Sequence, residues 1–177
     1  MQSNDSHDTN PPGKLLPTAP VGTQTPCVLF LDFDGVAHPE LPDADDLFGQ
    51  LQLIERVLRD FPTVEIVISS SWRLHHDLAD LRSNFSFDIA PRVIDVTPLP
   101  WTDRDGVKPP GRRQREIEAW LDRERPGGVP WLAIDDRAEW FDKDCPNLFL
   151  TNSLRGFQPI QVEDLRQTLV RLVGGKE

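Results

Sequence analysis

Two aspartates one residue apart, Asp32 and Asp34, follow an unbroken apolar run at 28–31 and precede Gly35. Such a run is the pattern of a strand buried on both faces of a parallel sheet. Continued by one residue, the strand projects positions i and i+2 to the same side, so the two carboxylates converge. Converging carboxylates repel unless a cation lies between them or one takes a proton. Gly35 lets the chain turn where a side chain would crowd the site. Two more strand-like runs, 64–68 and 131–134, end in polar groups: Ser69, Ser70 and Ser71 after one, Asp135 and Asp136 after the other. C-terminal strand ends in a doubly wound sheet line one edge and form a single crevice. Lys108, Arg112 and Arg113, just before the fourth strand, are in reach of it. Carboxylates, a hydroxyl and a fixed cation suit phosphoryl transfer. Clustered carboxylates need a hard ion, and oxygen ligands favour Mg²⁺. The ion, a basic side chain and a hydroxyl neutralise the phosphoryl oxygens. One Asp serves as nucleophile, and a second acid protonates the leaving oxygen and then activates water.

Strands alternating with helices must position these groups. Residues 43–60 carry Leu47, Leu51, Ile54 and Leu58 at helical spacing, with acids in the first turn and Arg56 and Arg59 near the end. Further helices are expected over 77–82, over 112–123 with Ile117, Trp120 and Leu121 as the apolar stripe, and over 161–173. Residues 92–96 and 148–150 read as the third and fifth strands, and 99–111 as loop. The alternation predicts an α/β fold, a doubly wound, mostly parallel sheet with helices on both faces. Residues 1–25, rich in Pro, Ser, Thr, Asn and Gln, are expected to form a disordered tail, leaving 26–177 as a single domain.

The net charge of −10, from 19 basic and 29 acidic residues, argues against a broad nucleic-acid-coating surface and leaves room for a local basic pocket. No run approaches the ~18 apolar residues of a membrane span, and no signal pattern opens the chain, so no membrane partner and cytoplasmic residence are expected. Cys27 and Cys145 have no zinc or CxxC spacing and read as free thiols. His38, His75 and His76 read as surface histidines near the entrance, and Trp101, Trp120, Trp131 and Trp140 as core.

DFDGV at 32–36, a hydroxyl ending the second strand, a basic residue before the fourth and a DD pair ending it together resemble the haloacid dehalogenase (HAD) superfamily. The resemblance spans 28–150 and meets all four motifs in order. It implies a HAD-like Rossmannoid fold, with Asp32 as nucleophile and Asp34 as general acid/base. It further implies Mg²⁺ held by the carboxylates of Asp32 and Asp136 and the backbone carbonyl of Asp34, with Asp135 as a further ligand or behind it. Counting along the second strand favours Ser70 as the phosphate-contacting hydroxyl, with Ser69 close behind. Arg113 is the first choice of cation, then Arg112 and Lys108. Closer still, SSSWR at 69–73, VTP at 96–98, and Arg113 followed by Glu116-Ile117 and Trp120-Leu121 resemble the HAD domains of "Swiss Army knife" RNA repair proteins. That similarity implies phosphate removal from nucleic-acid ends or nucleotides, with Trp72 and Arg73 stacking on and pairing with the substrate.

The gaps at 37–62 and 74–111 are too short for a full cap domain, so a capless, open site with a small flap at 38–43 is expected. Two other classes compete with a phosphatase: a receiver-like module whose Asp holds phosphate as a switch, and a catalytically silent phosphate- or partner-binding module. Asp34 favours turnover over a held phosphate, and the acid order differs from a receiver's.

Overall fold

The computed structural model describes residues 25–99 and 110–174. Every residue of β1 (Cys27–Leu31) is fully buried, as the unbroken apolar run requires. It pairs in parallel with β2 (Val64–Ile68) on one side and β4 (Trp131–Asp135) on the other. With β3 (Val93–Val96) and β5 (Leu148–Leu150), the sheet has the order β3-β2-β1-β4-β5. The chain moves outward one way from β1 and then returns to its other side. The topological switch point therefore lies between β1 and β4, where open α/β sheets bind their ligands.

Alternation along β1 divides the core. Cys27, Leu29 and Leu31 pack with Leu51, Ile54, Val57 and Leu58 of α1 (Leu51–Leu58), Leu81 of α2 (Leu78–Arg82) and Leu165 and Leu169 of α4 (Val162–Val173). Val28 and Phe30 face the other layer, Ile117 and Trp120 of α3 (Arg112–Glu124). Each such buried side chain contributes about 1.5–3 kcal/mol. Helices thus cover both faces, as expected. Asp77 caps α2, its side chain accepting from the Asp80 N–H at 2.9 Å.

The helix expected over 43–60 is shorter. A 3₁₀ turn at Ala44–Asp46 and a turn precede it, and α1 begins only at Leu51. The interruption is Phe48, whose φ of +60° no helix allows. Its ring packs edge-on against Phe33, His38 and Trp72, which holds this conformation in place. Leu47, expected on the buried stripe, is consequently exposed. The segment at 38–43 is anchored at both ends of its first half: His38 is fully buried, and the Glu40 N–H donates to Ser153 O at 2.8 Å.

The expected tail at 1–25 lies outside the described residues except for Thr25, whose N–H donates to Val173 O. Lys108 and Trp101 also lie outside them. Among the described residues, no helix is long and apolar enough to cross a membrane. Trp120 is core, as expected, whereas Trp131 and Trp140 are half-buried at the edge of the second layer. Both cysteines are free, and burial pushes the Cys27 thiol up to about 12.

Candidate active site

Each inner strand passes its ladder on by one residue. Asp32 N–H donates to Ile134 O (3.1 Å), Ser69 N–H to Leu31 O (3.0 Å), Thr97 N–H to Ile68 O (2.9 Å) and Thr151 N–H to Asp135 O (3.0 Å). The residues after β1, β2 and β3 are thereby fixed in one row with Asp135, the last residue of β4, and Thr151 follows one step beyond, level with Asp136. Asp32 is in the middle and only 4% exposed. Its Oδ1 accepts from the Phe33 N–H at 2.8 Å, leaving Oδ2 aimed into the crevice.

Asp32, Asp135 and Asp136 bring one carboxylate oxygen each within 4.8 Å of one another. Among the described residues, Oδ2 of Asp135 and Oδ2 of Asp136 are buried without a hydrogen-bond partner. Burial, and then the charge of Asp32, raise the pKa of Asp136 to about 6 and that of Asp135 further. Carboxylate oxygens that accept no hydrogen bond among the described residues, each 3.3 Å from an arginine Nε (Arg113 for Asp135, Arg137 for Asp136), and so crowded that they resist ionisation, fit a hard divalent cation. Gly35 makes the approach possible. A Cβ there would lie 2.4 Å from Asp136 Oδ2, and its φ of +71° is one that side chains disfavour. The Gly35 carbonyl accepts from Thr151 Oγ1 at 2.7 Å, which fixes the turn from the β5 side.

Arg113, the second residue of α3, reaches into this cluster almost fully buried. Its Nε lies 3.3 Å from Asp135 Oδ2 and its Nη2 3.4 Å from Asp32 Oδ2. Burial works against its charge, yet Asp32, Asp135, Glu116 and Asp136 together hold its pKa above the ordinary arginine value. Nη1 has no hydrogen-bond partner among the described residues. Arg112 turns aside and lies over the Trp140 ring, 3.7 Å from its centroid.

Ser69 and Ser70 are both buried but differ in use. Ser70 Oγ accepts from the Trp72 N–H at 3.4 Å, capping the 3₁₀ turn Ser71–Leu74. Ser69 Oγ, level with Asp32, has no partner among the described residues. Arg73 points inward from the same turn. Its Nη1 donates to Ser69 O (2.6 Å) and Ser70 O (2.7 Å), its Nη2 to Glu116 (2.7 Å) and Pro98 O (3.3 Å), and its Nε to Pro98 O (3.4 Å). All five N–H groups of a guanidinium are thus engaged with protein acceptors.

Asp34 is removed from the three-carboxylate cluster. Its Oδ1 accepts from Trp72 Nε1 at 3.1 Å and lies 3.8 Å from His38 Nε2. Burial raises its pKa, and the Trp72 hydrogen bond only partly opposes this. His38 is not on the surface as its polarity suggests. Its Nδ1 donates to Pro39 O at 2.8 Å, and its ring packs beside Phe48 and Trp72. Asp34, Trp72, His75 and His76 line an open cleft of about 200 Å³, and Ser71 separates it from a smaller one beside Arg112 and Arg113.

The structure therefore brings together Asp32, Asp135, Asp136, Arg113 and Ser69, with Asp34 across the mouth. Sequence reasoning gave no role to Glu116 or Thr151 and placed His38 on the surface near the entrance. Glu116 had a signal, since it stands three residues after Arg113 on the same helical face; the other two had none.

No curated protein matches the chain. The model of the HAD domain in Swiss Army Knife RNA repair proteins matches residues 28–162, from β1 to the first residue of α4. With that match over most of its length and with the acidic strand ends at the switch point of its sheet, the chain belongs to this family of HAD domains.

Proposed function

We propose that residues 26–177 form a Mg²⁺-dependent phosphatase domain acting on phosphorylated nucleic-acid ends or nucleotides through an aspartyl-phosphate on Asp32. The observation that carries this reading is the approach of Arg113 to Asp32 Oδ2 at 3.4 Å, beside two carboxylates whose Oδ2 atoms accept no hydrogen bond among the described residues. Asp32 and Asp136, with the Asp34 backbone carbonyl and Asp135 behind them, would hold the cation. Bound there, it supplies positive charge to the phosphoryl oxygens and to the attacking carboxylate.

Arg113 Nη1 and Ser69 Oγ are donors without acceptors among the described residues, placed to bind two phosphoryl oxygens. Asp32 Oδ2 attacks phosphorus, the bond to the leaving oxygen breaks, and Asp34 supplies that oxygen's proton. Asp34, now a carboxylate, takes a proton from the water that hydrolyses the acyl phosphate. Its burial-raised pKa favours the protonated form needed first. Ser69 is preferred to Ser70 because its Oγ makes no hydrogen bond among the described residues, whereas Ser70 Oγ is held in place by the Trp72 N–H that it accepts as a cap. Arg73 holds the carbonyls of the β2 end rather than substrate.

The open mouth and the RNA-repair setting of the matching family favour a bulky phosphorylated end over a small metabolite. The test is phosphate release, in Mg²⁺ and in EDTA, from p-nitrophenyl phosphate, mononucleotides and oligonucleotides with 3′- or 5′-phosphates. The expected result is Mg²⁺-dependent release that prefers oligonucleotide ends and is abolished in Asp32→Asn. Undiminished release by Asp32→Asn overturns the mechanism, and release from small phosphates alone removes the nucleic-acid assignment.

A further inference from the structure

Trp72 is the side chain whose placement departs furthest from a substrate-stacking role. One face of its indole is covered by His76, with ring centroids 5.3 Å apart and planes within 26°. The edges of Phe33, Phe48 and the tilted ring of His38 surround it from the protein side. Its free resource is the ring N–H, and that is given to Asp34 Oδ1 at 3.1 Å. His38 lies beside the same oxygen, with Nδ1 donating to Pro39 O and Nε2, which has no hydrogen-bond partner among the described residues, 3.8 Å away.

We propose that Trp72 is a positioning residue that aims Asp34: by holding Oδ1, it leaves Oδ2 to carry the proton toward the leaving group. This rests on the reading of Asp34 as the acid. An indole N–H can only donate, so it selects the carboxyl rotamer in which Oδ1 accepts and Oδ2 bears hydrogen. As the phosphorus–oxygen bond breaks, the electron pair stays on the leaving oxygen and the Oδ2 proton moves to it. The 3₁₀ turn that carries Trp72 is itself held by Arg73, so the aim is fixed to the end of β2.

Proton donation matters most when the leaving group is a poor one. The test measures kcat/KM of the Mg²⁺-loaded protein on p-nitrophenyl phosphate and on unsubstituted phenyl phosphate, which differ little in shape. Trp72→Phe keeps an aromatic ring for stacking and removes the donor. It should lower kcat/KM on phenyl phosphate about 10-fold more than on the p-nitrophenyl ester, with KM within about twofold, as expected for loss of one hydrogen bond that strengthens as Asp34 gives up its proton and becomes a carboxylate. Trp72→His, which keeps a ring N–H, should recover part of the difference. An equal loss on both esters, or a rise in KM alone, overturns the inference. Asp34→Asn run in parallel separates the two failures: if it shows no leaving-group bias, the acid assignment itself falls. Should Trp72→Phe not fold, the indole N–H resonance of ¹⁵N-labelled protein replaces it. That resonance should shift on Asp34→Asn, and an unmoved signal overturns the proposal.

Discussion

Arg73 and Glu116 form an ion pair 2.7 Å long in which each side chain is only 4% exposed. It ties the end of β2 to α3, one turn after Arg113, so the hydroxyl and the cation of the site share a single strut. Burial lowers the Arg73 pKa and the charge of Glu116 opposes this, so the buried guanidinium relies on its partner to offset the cost of its charge.

Removing one partner leaves the other as an uncompensated buried charge, at a typical cost of about 3–5 kcal/mol. Glu116→Ala should therefore lose stability on that order in urea unfolding, and Glu116→Gln should lose less because an acceptor remains. The paired change Arg73→Met with Glu116→Leu should recover stability but not phosphate release. A loss below about 1 kcal/mol for Glu116→Ala would show that the pair is not closed in solution.

Gly35→Ala tests the acidic cluster without touching a carboxylate. The new Cβ overlaps Asp136 Oδ2 at 2.4 Å and sits at a φ of +71°. The left-handed conformation alone costs about 1–2 kcal/mol, and Asp136 must also move. Lower stability in EDTA together with a smaller Mg²⁺-induced rise in Tm is expected. An unchanged Mg²⁺ response would place the ion elsewhere.

Much of this arrangement is legible in the residues. The apolar run at 28–31 announces a doubly buried strand, whereas the convergence expected of Asp32 and Asp34 is not met, because Asp34 turns to Trp72 and Asp135 and Asp136 complete the cluster instead. The buried row at the strand ends follows from the ladder continuing one residue beyond each strand. What the sequence does not disclose are choices made by tertiary packing. Three consecutive serines offer no local reason why Ser70 caps the following turn while Ser69 faces Asp32. His38 looks like any polar residue in a loop until Phe48, in a backbone conformation no pattern predicts, encloses it. Arg73 reads as a substrate ligand because an arginine's acceptors, here mostly carbonyls from residues 69, 70 and 98, leave no mark in composition.

The serines give a direct comparison. Ser69→Ala removes a buried hydroxyl with no protein partner among the described residues, so its structural cost should be small. If that hydroxyl meets a phosphoryl oxygen, kcat/KM should fall by about 10- to 100-fold, matching ~1.5–3 kcal/mol for a hydrogen bond to a charged group. Ser70→Ala should instead act mainly on stability, through the lost cap. The reverse pattern, with Ser70→Ala the more damaging to kcat/KM at wild-type stability, would restore Ser70 as the phosphate contact.

The raised carboxylates of the cluster dictate how stability responds to pH and metal. Asp136 titrates near 6 in the folded chain and near 3.8 when unfolded, and Asp135 is shifted further in the same direction. Between those values the folded state binds more protons than the unfolded one, so metal-free stability falls as pH rises from about 4 toward 8. Asp88, held low by Arg59, has the opposite slope, but only at and below its ordinary value of 3.8 and so outside this window. In EDTA, Tm should therefore decline across pH 5 to 8. Saturating Mg²⁺ should remove the decline, because the ion binds the ionised carboxylates and adds stability that grows as protons leave. A Tm in EDTA that climbs over this range, or a Mg²⁺ increment that shrinks with pH, would mean that Asp135 and Asp136 are already ionised and separately neutralised, and the cation site would have to be sought away from them.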